Sequence, residues 1–268
     1  MLIEALQSVF AQTLPPDEII IVDCGSNDGT REAVSGYSQR GVIFLETKTS
    51  GASAQRNAGI SRAKSDFIAF LDDDDIWHPQ KLKIQMNFLE THPEIAMVSS
   101  ANIRMKNNIT IKKPNWIFGD LYMKLFMESF IHTSTVVIKK DVFGDVGDFN
   151  ENYKRAEDYD MWLRISRNFP LAHLKSPLAW IRKCETRLSN DKIDLRNTAM
   201  KVLKEHYDPD KIPESKYKKR ISDLEISLGR RYVKAGNKEE GKRIFLSAIK
   251  RYPYRMRPYR YLLSTIMK

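Results

Sequence analysis

Short apolar runs alternate with helical patterns along the first half of this chain. The runs have strand length and are rich in β-branched or large apolar residues: "EIIIVD" (18–23), "GVIFLET" (41–47), "FIAFLD" (67–72) and "IAMVSSANIRM" (95–105). Helical patterns occupy 2–12, 29–39, 51–64 and 78–92. Such alternation predicts an α/β fold built on a mostly parallel, Rossmann-like sheet.

The pattern loosens from about residue 114. The segment "HTSTVVIKKDVFGDVGDF" (132–149) predicts a strand followed by a short helix, and "EDYDMWLRISRNF" (157–169) predicts a helix. Residues 185–220 are polar and carry little signal. We therefore expect one main domain over residues 1–200 and a small α-helical extension over 201–268.

The extension has a repeat-like spacing of small and aromatic residues. Its members are Leu228, Gly229, Tyr232, Gly236, Gly241, Phe245, Ala248 and Pro253. The spacing is that of one tetratricopeptide-like repeat, in which small residues let two helices approach closely and a proline ends the second. A single repeat leaves a face uncovered, so we expect it to pack on the main domain, a further helix or another chain.

The extension also carries the excess positive charge. Residues 201–268 hold 19 Lys and Arg against 8 Asp and Glu, whereas residues 1–200 hold 25 against 26. A net charge of +11 in the extension is typical of a surface that docks on something anionic, such as a membrane face or nucleic acid. A solvated lysine-rich helical face is the equal alternative.

Composition excludes several classes of protein. With 42% hydrophobic and 29% charged residues, the chain can form a hydrophobic core of the size that is usual for a globular protein. Its two cysteines form no disulfide framework or metal cluster, which favours a reducing compartment. The apolar runs are too short to span a membrane, and "MLIEALQSVF" lacks the basic start of a signal peptide. We expect a cytoplasmic protein.

Four adjacent aspartates, 72–75, directly follow the run "FIAFL". Ligands of open α/β sheets lie beyond the carboxyl ends of the strands, and adjacent carboxylates repel one another unless a cation lies between them. The cluster therefore predicts a divalent metal, Mn²⁺ or Mg²⁺, that also binds phosphate oxygens of a substrate. Helix capping by Asp75 would explain one of the four residues.

Two other segments are candidates for a site. The loop in "VDCGSNDGT" (22–30) has the small residues that let backbone approach a ligand, although many strand-to-helix turns look similar. Glu157 and Asp158 stand at the start of a predicted helix, where a carboxylate serves either as a general base or as a helix cap. His78, His132 and His173 have no metal-ligand spacing, and we interpret them as structural.

Together these segments resemble the family 2 glycosyltransferases of the GT-A fold. The resemblance rests on three segments in the order and spacing of the family: "ALQSVFAQTLPPDEIIIVDCGSNDGT", "GASAQRNAGISRAKSDFIAFLDDDDIW" and "VGDFNENYKRAEDYDMWLRI". It covers about residues 4–190. It implies a nucleotide-diphosphate sugar donor of UDP or TDP type, a divalent metal, and inversion at the anomeric carbon.

The resemblance also implies roles for individual residues. Asp72 and Asp74 match the ends of the DxD motif, with Asp74 as the metal ligand and Asp72 or Asp73 facing the ribose. Asp158 matches the catalytic base that deprotonates the acceptor hydroxyl. The remaining nucleotide-sugar contacts implied are Asp23, Cys24, Ser26 and Arg56.

The sequence departs from the family pattern at three places. Cys24 stands where the family has a base-contacting acidic residue, and a thiol is a weak hydrogen-bonding group. The pattern also includes an apolar strand and a nucleotide-contacting loop before the segment that starts at Met1, so we expect that strand to be missing. The region "WIRKCETRLS" (180–189) lacks the family's histidine.

Two functions follow as expectations. The first is transfer of a sugar to a glycan or lipid-linked acceptor in surface polysaccharide or glycoconjugate synthesis. In that function the basic extension would contact the inner face of the membrane peripherally, and we expect no nucleic-acid partner. The second is a catalytically impaired relative that acts as a binding or scaffold protein. A metal-dependent phosphohydrolase would need further catalytic ligands that the sequence does not offer.

Overall fold

The computed structural model describes residues 1–104, 115–182 and 192–266. The chain divides into two compact units. Unit 1 comprises Met1–Leu125 and Ser129–Cys184, and unit 2 comprises Phe126–Glu128 and Glu185–Lys268. Among the described residues, no helix has both the length and the apolar composition needed to cross a membrane.

Strands and helices alternate through the first half of unit 1, as the sequence predicts. The strands up to residue 182 are β1 (Ile19–Asp23), β2 (Val42–Glu46), β3 (Phe67–Ala69), β4 (Ile76–Trp77), β5 (Met97–Arg104), β6 (Trp116–Gly119), β7 (Val137–Lys139) and β8 (Leu171–Ile181). The helices over the same range are α1 (Leu2–Phe10), α2 (Thr30–Ser35), α3 (Ala52–Arg62), α4 (Lys81–Thr91), α5 (Tyr122–Met127), α6 (Val142–Val146) and α7 (Glu157–Asn168).

The strands of unit 1 form two sheets. β1 and β2 pair in parallel, with Ile19 opposite Val42. The other six strands form a sheet in the order β3-β7-β5-β8-β4, with β6 also paired to β8. The α/β class is confirmed, but the six-stranded sheet is mixed rather than mostly parallel, because four of its five described pairings are antiparallel. The sequence pattern does not reveal direction, since a buried strand is apolar in either orientation.

A buried apolar core holds the six-stranded sheet against α4. Val98 of β5 and Val137 of β7 pack with Phe88 and Leu89 of α4 and with Trp77. α3 approaches β1 closely at Gly59, where an added Cβ would lie 3.4 Å from a methyl group of Val22. This packing fixes α3 and the ends of β1 and β3, which carry the candidate site.

Unit 2 is helical in its described part. Its helices are α8 (Lys192–Glu205), α9 (Glu214–Lys234), α10 (Lys238–Arg251) and α11 (Met256–Ile266). α8 lies in a polar stretch that gives little signal for any secondary structure. The reason is that few of its residues are apolar and buried, among them Ala199, Val202 and Leu203.

The predicted close approach of two helices occurs between α9 and α10. A Cβ on Gly241 would lie 2.4 Å from a methyl group of Val233, and a Cβ on Gly229 would lie 2.7 Å from the Phe245 ring. Both glycines are therefore required by packing. The assignment of this helix pair to the tetratricopeptide class stays a prediction.

Candidate active site

The four aspartates lie in the turn between β3 and β4, beyond the end of a strand as predicted. Asp75 is fully buried and Asp74 is 7% exposed, whereas Asp73 is exposed. Partial desolvation of its carboxylate by surrounding protein atoms, followed by the charges of Asp74 and Asp72, raises the pKa of Asp73. The turn therefore crowds negative charge in a partly desolvated position, which favours a bound cation.

Ser134 holds the acidic turn through three hydrogen bonds. Its hydroxyl donates to Asp75 Oδ2 over 2.6 Å and accepts from the backbone N–H of Asp72 over 3.2 Å. Its carbonyl accepts from the Trp77 indole over 2.8 Å. A residue 59 positions away in sequence thus fixes both ends of the aspartate run.

Arg182, just past the end of β8, holds the same turn through its backbone and its side chain. The Arg182 N–H donates to Asp75 Oδ1 over 3.1 Å, and its Nε donates to the carbonyl oxygen of Asp74 over 3.1 Å. Its terminal nitrogen pairs with Glu4 of α1. The remainder of the segment with the expected histidine, residues 183–189, lies outside the described residues.

Arg56 of α3 connects the acidic turn to the start of α7. Its Nη1 donates to Glu157 over 2.7 Å and its Nη2 donates to Asp72 over 3.2 Å. Burial lowers the pKa of Arg56, but the charges of Asp72 and Glu157 outweigh it and raise that pKa. The predicted residue Arg56 is thus brought together with two acidic residues rather than left facing solvent.

Asp158 occupies the first turn of α7. Its Oδ1 accepts the backbone N–H of Tyr159 over 2.7 Å, and its Oδ2 accepts the Thr133 hydroxyl over 3.4 Å. Burial and then the adjacent charge of Glu157 raise the pKa of Asp158 to about 6, against the opposing charges of Arg56 and His132. A carboxylate with such a pKa is ionised at neutral pH and still basic enough to accept a proton.

The backbone just before Asp158 is strained. Ala156 has a φ of 54°, and it is the one non-glycine residue with positive φ among the described residues. An alanine in this left-handed region costs on the order of 1 kcal/mol. The strain sets the direction in which α7 begins and hence where Asp158 stands.

The loop after β1 is organised by Asp23. Its buried carboxylate accepts the Ser26 N–H over 2.8 Å and also accepts the Ser26 hydroxyl. Although burial raises the pKa of Asp23, these two bonds from Ser26 lower it below its usual range. Cys24 is a half-buried free thiol in this loop. Asp28 accepts hydrogen bonds from the backbone N–H and the hydroxyl of Thr30, the first residue of α2.

His132 joins the acidic turn, although the sequence pattern favoured a structural role for it. Its Nδ1 lies 3.8 Å from Asp75 Oδ2, and that buried nitrogen has no hydrogen-bond partner among the described residues. One ligand atom from each of Asp72, Asp75 and His132 fits within 4.8 Å. The unpartnered nitrogen beside two carboxylates fits a divalent cation that keeps water or phosphate oxygens as its other ligands.

Three of the residues that form this site carry no local sequence signal. The segments that carry His132, Ser134 and Arg182 lie 57 to 108 positions from the aspartates that these residues contact. Their roles depend on the pairing of β3 with β7 and of β4 with β8, and no motif spacing encodes those contacts.

A helix-flanked mixed sheet has an acidic turn after β3, and Arg56 connects that turn to a carboxylate at the start of α7. This is the arrangement of a GT-A fold. The fold is that of TarS from S. aureus in complex with UDP-GlcNAc, with a TM-score of 0.66 and 17% identity over 98% of this chain and 84% of that one. The chain belongs to glycosyl transferase family 2, whose family model matches residues 1–147.

Curated relatives agree with this membership. The amylovoran biosynthesis glycosyltransferase AmsB of Erwinia amylovora is 31% identical, over 66% of this chain and 64% of its own length. An uncharacterized glycosyltransferase of Rickettsia prowazekii is 27% identical, over 61% of this chain and 54% of its own. The chain therefore spans about half to two thirds of the length of these relatives.

Proposed function

We propose that this protein transfers a sugar, with inversion, from a nucleotide-diphosphate donor to an acceptor hydroxyl. The observation that carries the proposal is the carboxylate of Asp158, which has a raised pKa and lies one residue from the Glu157–Arg56–Asp72 chain of ion pairs. That chain links the base to the acidic turn. A base and a diphosphate site must be held together for an in-line displacement.

Asp158 is the proposed general base. The N–H of Tyr159 and the hydroxyl of Thr133 orient its carboxylate. An acceptor hydroxyl that donates to this carboxylate would lose its proton as its oxygen attacks the anomeric carbon. The acceptor oxygen forms its bond to the anomeric carbon on the face opposite the diphosphate, and the bond from that carbon to the diphosphate breaks. This single displacement inverts the configuration.

The diphosphate is proposed to lie at the acidic turn with Mn²⁺ or Mg²⁺. Asp74, the ligand implied by family resemblance, and the Asp72–Asp75–His132 group are the residues that would hold the ion. When bound, the ion stabilises the charge that develops on the leaving diphosphate. Arg56 adds a fixed positive charge beside Asp72.

The nucleotide is proposed to bind along the loop after β1, with contacts from Asp23, Cys24 and Ser26 and from Asp72 or Asp73. A uridine nucleotide is the first choice, because the structurally similar TarS was crystallised with UDP-GlcNAc. The similarity to AmsB supports a role in polysaccharide synthesis, with a glycan or lipid-linked acceptor. The basic residues after 200 support a cytoplasmic protein with peripheral membrane contact.

A donor-hydrolysis and transfer assay with Mn²⁺ tests this function. The purified protein is incubated with UDP-GlcNAc, UDP-glucose or TDP-sugars, and released nucleotide is measured with and without EDTA. We expect release that depends on metal and is lost in Asp158→Asn. Silence with every common nucleotide sugar would favour the alternative of a binding protein.

A further inference from the structure

Three arginines and one aspartate line a cavity of about 250 Å³ in unit 2. Arg230 and Asp223 come from α9, Arg255 precedes α11, and Arg257 lies in the first turn of α11. The charges of these groups sum to +2. We propose that this cavity binds a phosphate-bearing ligand, a site separate from the transferase centre of unit 1.

The single aspartate does not satisfy the arginines. Arg255 Nη2 pairs with Asp223 over 2.5 Å, but the buried Nε of Arg255 has no hydrogen-bond partner among the described residues. A neighbouring pair shows the contrast, since Arg251 donates from both Nε and Nη2 to the two oxygens of Glu225. A buried guanidinium N–H without an acceptor is costly, and a phosphate oxygen would satisfy it.

The walls of the cavity are held in place. The Arg230 guanidinium lies over the ring of Tyr261, 4.9 Å from its centre, and the same ring stacks on Phe245 at 5.7 Å. Ser227 on the cavity wall accepts a hydrogen bond from Arg196 Nε over 3.2 Å. A planar guanidinium fixed in this way is prepared for bidentate contact with phosphate.

The surroundings add positive potential. Burial, and then the charges of Arg231 and Arg220, lower the pKa of Arg196 behind the Ser227 wall. Arg255 and Arg257 also flank the N-terminus of α11, where the helix dipole is unfavourable for cations and favourable for anions. An anion in the cavity would offset the repulsion among these arginines and interact favourably with the helix dipole.

The phosphate group has two possible sources, a soluble compound or a lipid headgroup. Tyr254 and Met256 are 87% and 69% exposed on either side of Arg255, as expected of residues that touch a membrane interface. The shared chemistry is the phosphate, and the experiment separates the sources.

The test uses the full chain without divalent metal, so that binding at the acidic turn of unit 1 does not contribute. Calorimetry measures binding of inorganic phosphate, and co-sedimentation measures binding to phosphatidylglycerol vesicles, with phosphatidylcholine vesicles as reference. Arg255→Gln/Arg257→Gln is compared with Arg243→Gln/Lys250→Gln, which removes two charges from α10 outside the cavity. We expect the cavity variant to bind at least about tenfold more weakly, and the α10 variant to bind nearly as wild type.

Binding of phosphate without vesicles would identify a soluble ligand, and binding of vesicles alone would identify a headgroup. Absence of saturable binding to both probes, or equal loss in the two double variants, would overturn the proposal. If the cavity variant loses its helical circular dichroism, Arg230→Lys takes its place in the binding measurements. This substitution keeps the positive charge and removes the planar guanidinium group. That variant should weaken binding, and wild-type affinity would count against the site.

Discussion

The Arg56 guanidinium donates to the Glu157 carboxylate across 2.7 Å and thereby ties α3 to the residue that precedes Asp158. The same guanidinium reaches Asp72 in the acidic turn over 3.2 Å. One side chain thus sets the distance between two parts of the site that lie 85 positions apart in sequence (157 − 72).

Replacement of Arg56 with methionine should both destabilise the protein and reduce transfer. The substitution leaves Glu157 and Asp72 partly buried without their shared cation, a loss of about 3 kcal/mol in the free energy of unfolding. Urea unfolding measures this loss. Arg62→Met, on the exposed end of α3, is the matched control and should stay within about 0.5 kcal/mol of wild type. Equal effects of the two would contradict a bridging role.

Asp158→Asn should abolish transfer and leave the fold intact. Loss of a general base lowers kcat by about 10² to 10⁴. Steady-state rates with saturating donor measure this, and Asp145→Asn on the exposed side of α6 should keep the wild-type rate. Retention of full activity, or of a cellular phenotype, by Asp158→Asn would point to the scaffold function instead.

The pH dependence should also report Asp158. Because transfer needs the carboxylate, kcat should fall about tenfold per pH unit below the pKa of about 6. The pKa of Asp158 is higher in the folded state than in the unfolded state, so the unfolded state releases this proton at a lower pH. The free energy of unfolding therefore falls as pH rises from about 4 to 6. Asp158→Asn should therefore raise Tm at pH 7.5 and lose that gain near pH 4, as followed by thermal unfolding. A variant less stable than wild type at pH 7.5 would contradict the raised pKa.

Cys24→Asp should tighten binding of a uridine nucleotide. A carboxylate accepts a hydrogen bond from a uracil N–H far better than a thiol does, and a recovered bond of this kind contributes on the order of 1 to 3 kcal/mol. Calorimetry with UDP and Mn²⁺ measures the gain. Cys24→Ser, of similar size but uncharged, is the control and should change affinity little. Flat or weaker binding by Cys24→Asp would mean that this loop contacts another part of the donor.

Gly241→Ala should loosen unit 2 alone. Its new Cβ would lie 2.4 Å from a methyl group of Val233 and 3.1 Å from the carbonyl of Gly229, so α9 and α10 would have to separate. Such overpacking costs about 1 to 3 kcal/mol. Gly144→Ala in α6, where no atom lies within 4 Å of the new methyl group, is the control. Hydrogen exchange in α9 and α10 measures the loss, and unchanged protection there would contradict the close packing.

Local pattern predicted most of the elements. The helices α1, α3, α4 and α7 occur within two or three residues of their predicted positions. Apolar residues at helical spacing predict α1 and α7, whereas a preceding glycine turn predicts α3 and Pro79 marks the start of α4. The sequence does not predict α8, since it is polar and few of its side chains are buried. Strand direction was predicted incorrectly for most of the larger sheet, because pairing partners lie far apart in the chain.

The sequence by itself determined the α/β class, the acidic turn after a buried strand, and the resemblance that names Arg56 and Asp158, since these follow from residue types at short spacing. The tertiary structure alone decided that Ser134, Arg182 and His132 surround the aspartates, that Arg56 joins them to α7, and that arginines of α9 and α11 share one cavity. The physical reason is that burial, a shifted pKa and an unpartnered nitrogen depend on contacts between distant segments. Those contacts exist only once the strands and helices have packed.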